Sequence, residues 1–479
     1  MAAIAPDNRA APAKQCVDRR AVAALCAMVA ALSAVHIIYL ALSRMIPSED
    51  EVHYMTGAIS IADGIRSGTL PGAWNGYLNA LGFKAPLVCV PAALLMLLSN
   101  GTMKACMFSL VPTLAALGFL SFRLYRRAVG DWRAFAATTI LLSTPMITGL
   151  SHNFYVELLL VTVALWYVDL LASRPWSRSG AAALLGLAAG LGVLTKSSFP
   201  ALVALPTIFS LFVEVLDRPA GRAGRALIVA KNSAVAMAVA LVVAGPWYVQ
   251  NFAGVLRHAE SSLAAQSFYY PAWIQVDLSS GPGAVVALAG AIACILVIGN
   301  LATRRITGPR REALLLVLLL GLDTAVAVAS TVNKTTRFAV TGLPAFALLS
   351  VMLWGYFPWP SVKRYGPCVL AVFSLVLSLQ ISFGILRLRP VKVGAMSILA
   401  SNFTLNAAEE YDNHPVERRN FRLDEIDDAI ASDAMKRFPP GQLIRIRLAS
   451  YGFLSNFYYF QVVDQLNHRA FDYWSGLER

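Results

Sequence analysis

Ionisable side chains cluster where apolar stretches end. Glu49-Asp50-Glu51 is followed at once by His53 and Tyr54; Lys84 comes later, then His152-Asn153 with Glu157, then Lys196, Trp247-Tyr248, Asn333-Lys334 and Arg337. Carboxylates of this kind can take a proton from a hydroxyl or, through oxygen, ligate Mg²⁺ or Mn²⁺. Lysines act as point charges on an anion and an arginine offers a two-pronged fork. Aromatic faces at Trp247, Tyr248 or Tyr269-Tyr270 suit C–H-rich surfaces. No Walker-type GxxxxGK[ST], GxGxxG or defensible Ser/His/Asp order is present, and no His/Cys spacing suits zinc. The six cysteines contain no CxxC pair and read as small packing residues.

The elements that must carry these residues are membrane helices. Of 479 residues 57% are hydrophobic and only 14% charged, against about 25% charged in a soluble chain. A span needs about 20 apolar residues. Such stretches lie at 21–43, 105–122, 134–150, 156–172, 180–194, 200–216, 232–246, 284–301, 313–330, 338–356 and 367–386, about eleven in all. The first follows Arg19-Arg20 and lacks a cleavage site, so it is expected to stay as a span. The stretch 86–99 is short for a crossing and begins with Pro86; it is read as an interfacial helix.

This assignment gives the formal charge of +13 a location. With a cytoplasmic N-terminus, the inner segments hold 20 Lys+Arg against seven acids, the whole of the excess. The charge therefore records orientation by the positive-inside rule, and nucleic acid is not an expected partner. The expected organisation is a cytoplasmic tail at 1–20, a transmembrane domain at 21–386 with its first outer loop at 44–104, and an extracytoplasmic α/β region at 387–479. That last region holds 12 acids and 12 basic residues, and Leu443-Ile444-Arg445-Ile446-Arg447-Leu448 alternates like a strand. A long outer loop is expected at 247–283. Asp323, inside a span, reads either as a hydrogen-bond partner or as part of an ion path.

With this sidedness the candidate residues share the outer face. Asp50-Glu51-Val52-His53-Tyr54, Phe83-Lys84-Ala85-Pro86, Leu194-Thr195-Lys196, Gly245-Pro246-Trp247-Tyr248, and Lys334 with Arg337-Phe338 follow one another along the chain. The series resembles the C-type fold (GT-C) glycosyltransferases that use polyprenyl-phosphate sugars. It is most similar to the branch holding the aminoarabinose transferase of lipid A modification and the rhizobial lipopolysaccharide galacturonosyltransferases, and more distantly to protein O-mannosyltransferases. The branch's D-E-x-x-Y motif matches Asp50, Glu51 and Tyr54; its K-P-P-like motif matches Lys84 and Pro86; its L-T-K-G-like motif matches Leu194, Thr195 and Lys196. His53 stands where relatives often carry Arg, Ala85 replaces a proline, Ser197 a glycine, and Glu157 the usual Asp.

The resemblance implies an all-α polytopic fold and inverting transfer of a sugar from a polyprenyl-phosphate donor to a hydroxyl or phosphate of a lipid, glycan or protein acceptor. It places the reaction at the outer face of a bacterial inner membrane, with the C-terminus periplasmic. Asp50 becomes the candidate base, with Glu51 and Glu157 also catalytic candidates; Glu157 aligns the acceptor, holds a cation, or pairs with Lys84 or Lys196. Lys84, Lys334 and Arg337 are the phosphate-binding candidates, and His53, Tyr54, Asn153, Lys196, Trp247 and Tyr248 the substrate-binding ones. No cofactor is required, although Mg²⁺ or Mn²⁺ can be accommodated by the three carboxylates. The competing class is a multispan transporter or lipid-linked sugar flippase, which would put its ionisable residues near the membrane midplane.

Overall fold

The computed structural model describes residues 17–42, 49–99, 102–216, 222–269, 284–302, 308–330 and 336–383; beyond 390 it describes four short strands and a few isolated residues. The expected first span is helix α1 (Arg19–Leu42). The segment expected as the first outer loop folds into α2 (Glu49–Arg66), α3 (Leu70–Asn79) and α4 (Cys89–Leu98), the last lying within the stretch expected to be interfacial. Thr69 caps α3 by accepting the Gly72 N–H, and Pro71 sits in its first turn, where a missing N–H costs nothing.

The next helices are α5 (Met103–Phe108), α6 (Leu110–Val129), α7 (Asp131–Leu142), α8 (Pro145–His152) and α9 (Glu157–Leu171). The stretch expected as one span at 134–150 is thus a pair, α7 and α8, bent by 55°. Pro145 explains the break, because the residue before a proline is pushed out of the helical region: Thr144 is extended. There follow α10 (Ser179–Thr195), α11 (Phe199–Leu202), α12 (Ala204–Leu216), α13 (Arg222–Tyr269), α14 (Ala284–Ala302), α15 (Gly308–Ser330), α16 (Leu343–Leu353) and α17 (Pro360–Phe383). A 3-10 segment, Thr336–Gly342, leads into α16.

Each of the eleven apolar stretches falls on a helix or a helix pair. Six helical segments are long and apolar enough to cross a membrane, seven with the bent pair. The other stretches form helices of 13 to 19 residues, α9, α10, α12 and α14. Their outward faces are apolar: Val242 is 76% exposed, Ile295 75% and Val369 65%. Such faces need lipid, not water, around them. The chain is a multi-pass membrane protein.

One expectation fails at α13. The stretch 247–283 does not begin as a loop, because the helix continues past Pro246 to Tyr269. Proline removes one intrahelical hydrogen bond, a loss that neighbouring helices can absorb in a membrane bundle. Here α13 packs tightly on α10: a Cβ added to Gly186 would lie 2.2 Å from the Ala236 carbonyl oxygen, and one on Gly190 2.8 Å from Val243 Cβ. Two glycines four residues apart let the backbones approach where no hydrophobic force acts between helices.

Charge is sorted to the two ends of the bundle. Glu157 and Asp169 lie at opposite ends of α9, about 18 Å apart along its axis. Asp169, fully buried, is bound by Arg123 and Arg127 from α6; Glu214 pairs with Arg225, and Arg174 with Glu312 at 3.0 Å. Asp323 Oδ2 accepts the Leu205 N–H at 2.8 Å, satisfying an orphan donor in the first turn of α12. Of its two readings, that of hydrogen-bond partner is the one the geometry supports.

In the tail, β1 (Val391–Val393) pairs antiparallel with β2 (Met396–Ile398), and β3 (Ile444–Leu448) runs parallel to β4 (Phe471–Ser475). The alternating segment expected as a strand is β3. The rest of the expected α/β region lies outside the described residues.

Candidate active site

The site starts at the N-terminus of α2. Asp50 and Glu51 occupy its first turn, where negative charge is favoured, and Tyr54 follows Asp50 by one helical turn. Asp50 Oδ1 lies 2.5 Å from Lys84 Nζ, and Oδ2 2.5 Å from a terminal nitrogen of Arg337. Burial alone would raise this carboxyl's pKa; the Arg337 and Lys84 charges outweigh it and hold Asp50 well below the ordinary carboxylate range. Tyr54 is buried, and burial pushes its hydroxyl well above the usual phenol value. Lys84 Nζ lies 5.6 Å from the Tyr54 ring centre and 5.5 Å from that of Phe83, within cation–π range.

Lys84 is presented by a bend whose backbone enters the left-handed region at two successive residues, Leu81 (φ 70°) and Gly82 (φ 55°). Glycine takes this conformation freely and leucine does not, so surrounding contacts must hold the bend. They come from α13. Asn251 Nδ2 donates to the Leu78 carbonyl at 2.8 Å, Gln250 Nε2 donates to Asn79 Oδ1 at 2.9 Å, and Gly254 lies directly under the Gly82 carbonyl. On its far side the Leu87 N–H donates to the Leu194 carbonyl at 3.0 Å, tying the bend to the end of α10.

That end carries Lys196, whose Nζ donates to Glu157 Oε1 at 2.9 Å and lies 4.1 Å from the Phe338 ring centre. Glu157 opens α9 and is 2% exposed; its second oxygen has no hydrogen-bond partner. Arg337, in the 3-10 segment before α16, places Nε 3.9 Å from Glu157 Oε1 while its other end binds Asp50. Its guanidinium carbon lies 4.6 Å from the Tyr155 ring centre and 5.5 Å from that of Phe338. The result is an alternating row, Lys84, Asp50, Arg337, Glu157, Lys196, drawn from five separate chain segments.

The remaining candidates surround this row. Glu51, 1% exposed, accepts the Phe154 N–H on Oε1 at 2.6 Å, linking α2 to the segment that supplies Tyr155 and Glu157. Asn153 donates to the Gly149 carbonyl at 2.7 Å, closing the end of α8. His53 meets the Phe83 ring edge-on at 5.6 Å, and Phe83 lies 4.8 Å from His258. Trp247 is fully buried in a small cluster with Leu78, Ala85, Leu194 and Ala244, and Tyr248 donates to the Val193 carbonyl at 3.0 Å. Lys334 and Tyr270 lie outside the described residues. Tyr155 and Gly254 were not among the sequence candidates; a single aromatic or glycine beside an apolar segment carries no signal of its partner.

Among the described residues no three His, Cys, Asp or Glu side chains are grouped to hold an ion. Both Asp50 oxygens are bound by cations and Glu51 Oε1 by an amide, so the donor set does not fit Mg²⁺ or Mn²⁺ in this arrangement.

The chain shares the fold of GT-C membrane enzymes. It superposes on ArnT from Cupriavidus metallidurans bound to undecaprenyl phosphate with a TM-score of 0.54 at 17% identity, over 94% of this chain and 85% of that one. It also matches the Archaeoglobus fulgidus oligosaccharyltransferase in its apo form, with a TM-score of 0.54 at 10% identity over 93% of this chain and 64% of the other. The same enzyme, AglB, in complex with an inhibitory peptide and a dolichol-phosphate, gives 0.52 at 9% identity over 93% and 64%. No family model and no curated protein matches the chain by sequence.

Proposed function

We propose that the chain is an inverting glycosyltransferase that moves a sugar from a polyprenyl-phosphate donor to a hydroxyl of a lipid, glycan or protein acceptor. It works at the outer face of a bacterial cytoplasmic membrane, with its N-terminus inside and the tail from 387 outside. The observation that carries this reading is the row of three cations and two carboxylates at one end of a GT-C fold bundle. Attack by the acceptor oxygen on the anomeric carbon forms one C–O bond as the C–O bond to phosphate breaks. The bonding pair leaves with the polyprenyl phosphate, and the acceptor proton passes to Asp50. Lys84 and Arg337 take up the charge that builds on the leaving group, an effect enlarged where water is excluded. Lys334 joins them on the sequence reading.

Glu157, with one oxygen on Lys196 and the other unpartnered, receives a hydroxyl of the acceptor or the sugar. Glu51 acts through Phe154 as a positioning residue, and Trp247 and Tyr248 wall the site by packing. His53, Tyr54 and Asn153 are the further substrate-binding candidates that the sequence resemblance offers. A transporter would need its charges at midplane, whereas Asp323, the acid that the sequence puts inside a span, is engaged by a backbone amide.

The test is transfer by the reconstituted protein, wild type against Asp50→Asn, with a polyprenyl-phosphate sugar and candidate acceptors. A general base is worth roughly 10²–10⁴-fold, so the variant folds and transfers at least a hundredfold more slowly. Undiminished transfer would remove Asp50 from the reaction.

A further inference from the structure

Lys84 and Arg337, the cations assigned to the donor phosphate, are already neutralised by Asp50, the group assigned to the acceptor proton. Both jobs cannot be done in this arrangement. A carboxylate with a cation on each oxygen is a poor base, and a cation pair already bridged by a carboxylate is a poor phosphate site. A phosphodiester carries one negative charge on two free oxygens, the same fork that Asp50 offers. We propose that donor phosphate and Asp50 compete for the same two cations, so that donor binding displaces Asp50 from Lys84 and Arg337 and thereby turns it into the base.

The geometry says which partner moves. Arg337 is held between the rings of Tyr155 and Phe338 and is 11% exposed, and Lys84, 18% exposed, lies beside Tyr54 and Phe83. Asp50, 30% exposed, is the outermost member of the trio, in the first turn of a helix. Glu157, also near Arg337, is 3% exposed and stays bound to Lys196. Exchange of anions on fixed cations therefore costs one side-chain rotation. The depressed pKa of Asp50 fits this resting state, and loss of its two cations moves it back toward the ordinary range, where it accepts a proton.

Two consequences follow. Binding is ordered, donor before a productive acceptor, so a hydroxyl arriving first meets no base. The product, a phosphate monoester with more negative charge than the donor, holds the cations until Asp50 has lost its proton and can take them back.

This inference rests on the proposed function, and one set of binding measurements separates the failure of each. Undecaprenyl phosphate in nanodiscs is the probe, titrated into wild type, Asp50→Asn, Lys84→Ala and Asp63→Asn. Asp63 lies on α2 paired with Arg66, so its change adds the same charge away from the row. Asp50→Asn binds about tenfold more tightly than wild type, the share of one charge-assisted hydrogen bond released from competition, although it has lost transfer. Lys84→Ala binds more weakly and Asp63→Asn is unchanged. Asp50→Ser makes the same prediction and covers a case in which the amide does not fold. Affinity equal to or below wild type in folded Asp50 variants, with Lys84→Ala weakened, overturns the exchange and leaves the proposed function standing. Equal tightening by Asp63→Asn also overturns it, as a bulk charge effect. No saturable binding to wild type overturns the proposed function, and the exchange with it.

Discussion

Gly254 touches none of the five charged side chains, yet it sets the position of one. A Cβ at this residue would lie 2.2 Å from the Gly82 carbonyl oxygen and 3.2 Å from its carbon, and both neighbours are backbone, with no flexible tip to give way. Ordinary contact begins near 3.4 Å, so Gly254→Ala drives the bend at residues 81–84 away from α13 by about 1 Å. Lys84 is two residues further on and moves with it. A misplacement of about 1 Å in a reacting constellation costs on the order of 10²-fold. The effect on stability is smaller, because overpacking costs about 1–3 kcal/mol while alanine in a helix regains about 1 kcal/mol over glycine. The assay is initial transfer rate at saturating acceptor, alongside thermal unfolding in detergent, with Gly224→Ala on the same helix as the control; nothing lies within 4 Å of that position. Gly254→Ala loses about 10²-fold in transfer while its unfolding midpoint stays close to the control's. A Gly254→Ala protein that transfers within about threefold of wild type would refute the claim that this contact places Lys84.

Two further outcomes separate roles inside the site. Glu51→Gln keeps an oxygen to accept the Phe154 N–H and retains transfer within about threefold. Glu51→Ala strands that buried amide at about 1–3 kcal/mol, read as a lower unfolding midpoint; a 10²-fold loss in the glutamine variant would instead assign Glu51 to proton or metal chemistry. The second outcome concerns acid. The groups facing Asp50 are Lys84, Arg337, Glu157 and Tyr54, and its folded-state pKa lies below the unfolded 3.8. The stability that its ionised form contributes is therefore fully present from about pH 5 upward and is lost progressively as pH falls below the unfolded value and through the depressed folded one. The difference in unfolding midpoint between wild type and Asp50→Asn is accordingly flat from about pH 8 to pH 5, and a difference that narrows within that interval would contradict the pairing.

Much of this architecture was legible because ionisable residues beside apolar stretches are costly and therefore few. Asp50, Lys84, Glu157, Lys196 and Arg337 stood out on that ground, and of the partners open to Glu157 the structure selects Lys196. The helices were legible too, since apolar length identifies them without any partner. Punctuation misled at Gly245-Pro246, where the helix runs on because its neighbour α10 packs against it through Gly186 and Gly190. Trp247, read from the sequence as an aromatic face for a C–H-rich surface, is fully buried; besides Ala244 its cluster consists of Leu78, Ala85 and Leu194, all more than 50 positions away. Contacts of that range, like Gly254 on Gly82 or Tyr155 beside Arg337, have no local pattern to announce them.

The alternating row also answers a question of stability that the function alone raises. Three cations brought together at one end of the bundle repel one another and lose water, a state that the fold would have to hold against several kcal/mol for each uncompensated charge. Interleaving Asp50 and Glu157 offsets that cost and leaves the five-membered row with one cation in excess. A donor phosphodiester brings one negative charge, which that excess neutralises even as Asp50 is set loose. On the proposed function, the same carboxylate that balances the two cations is thus the group that takes the acceptor proton once it leaves them.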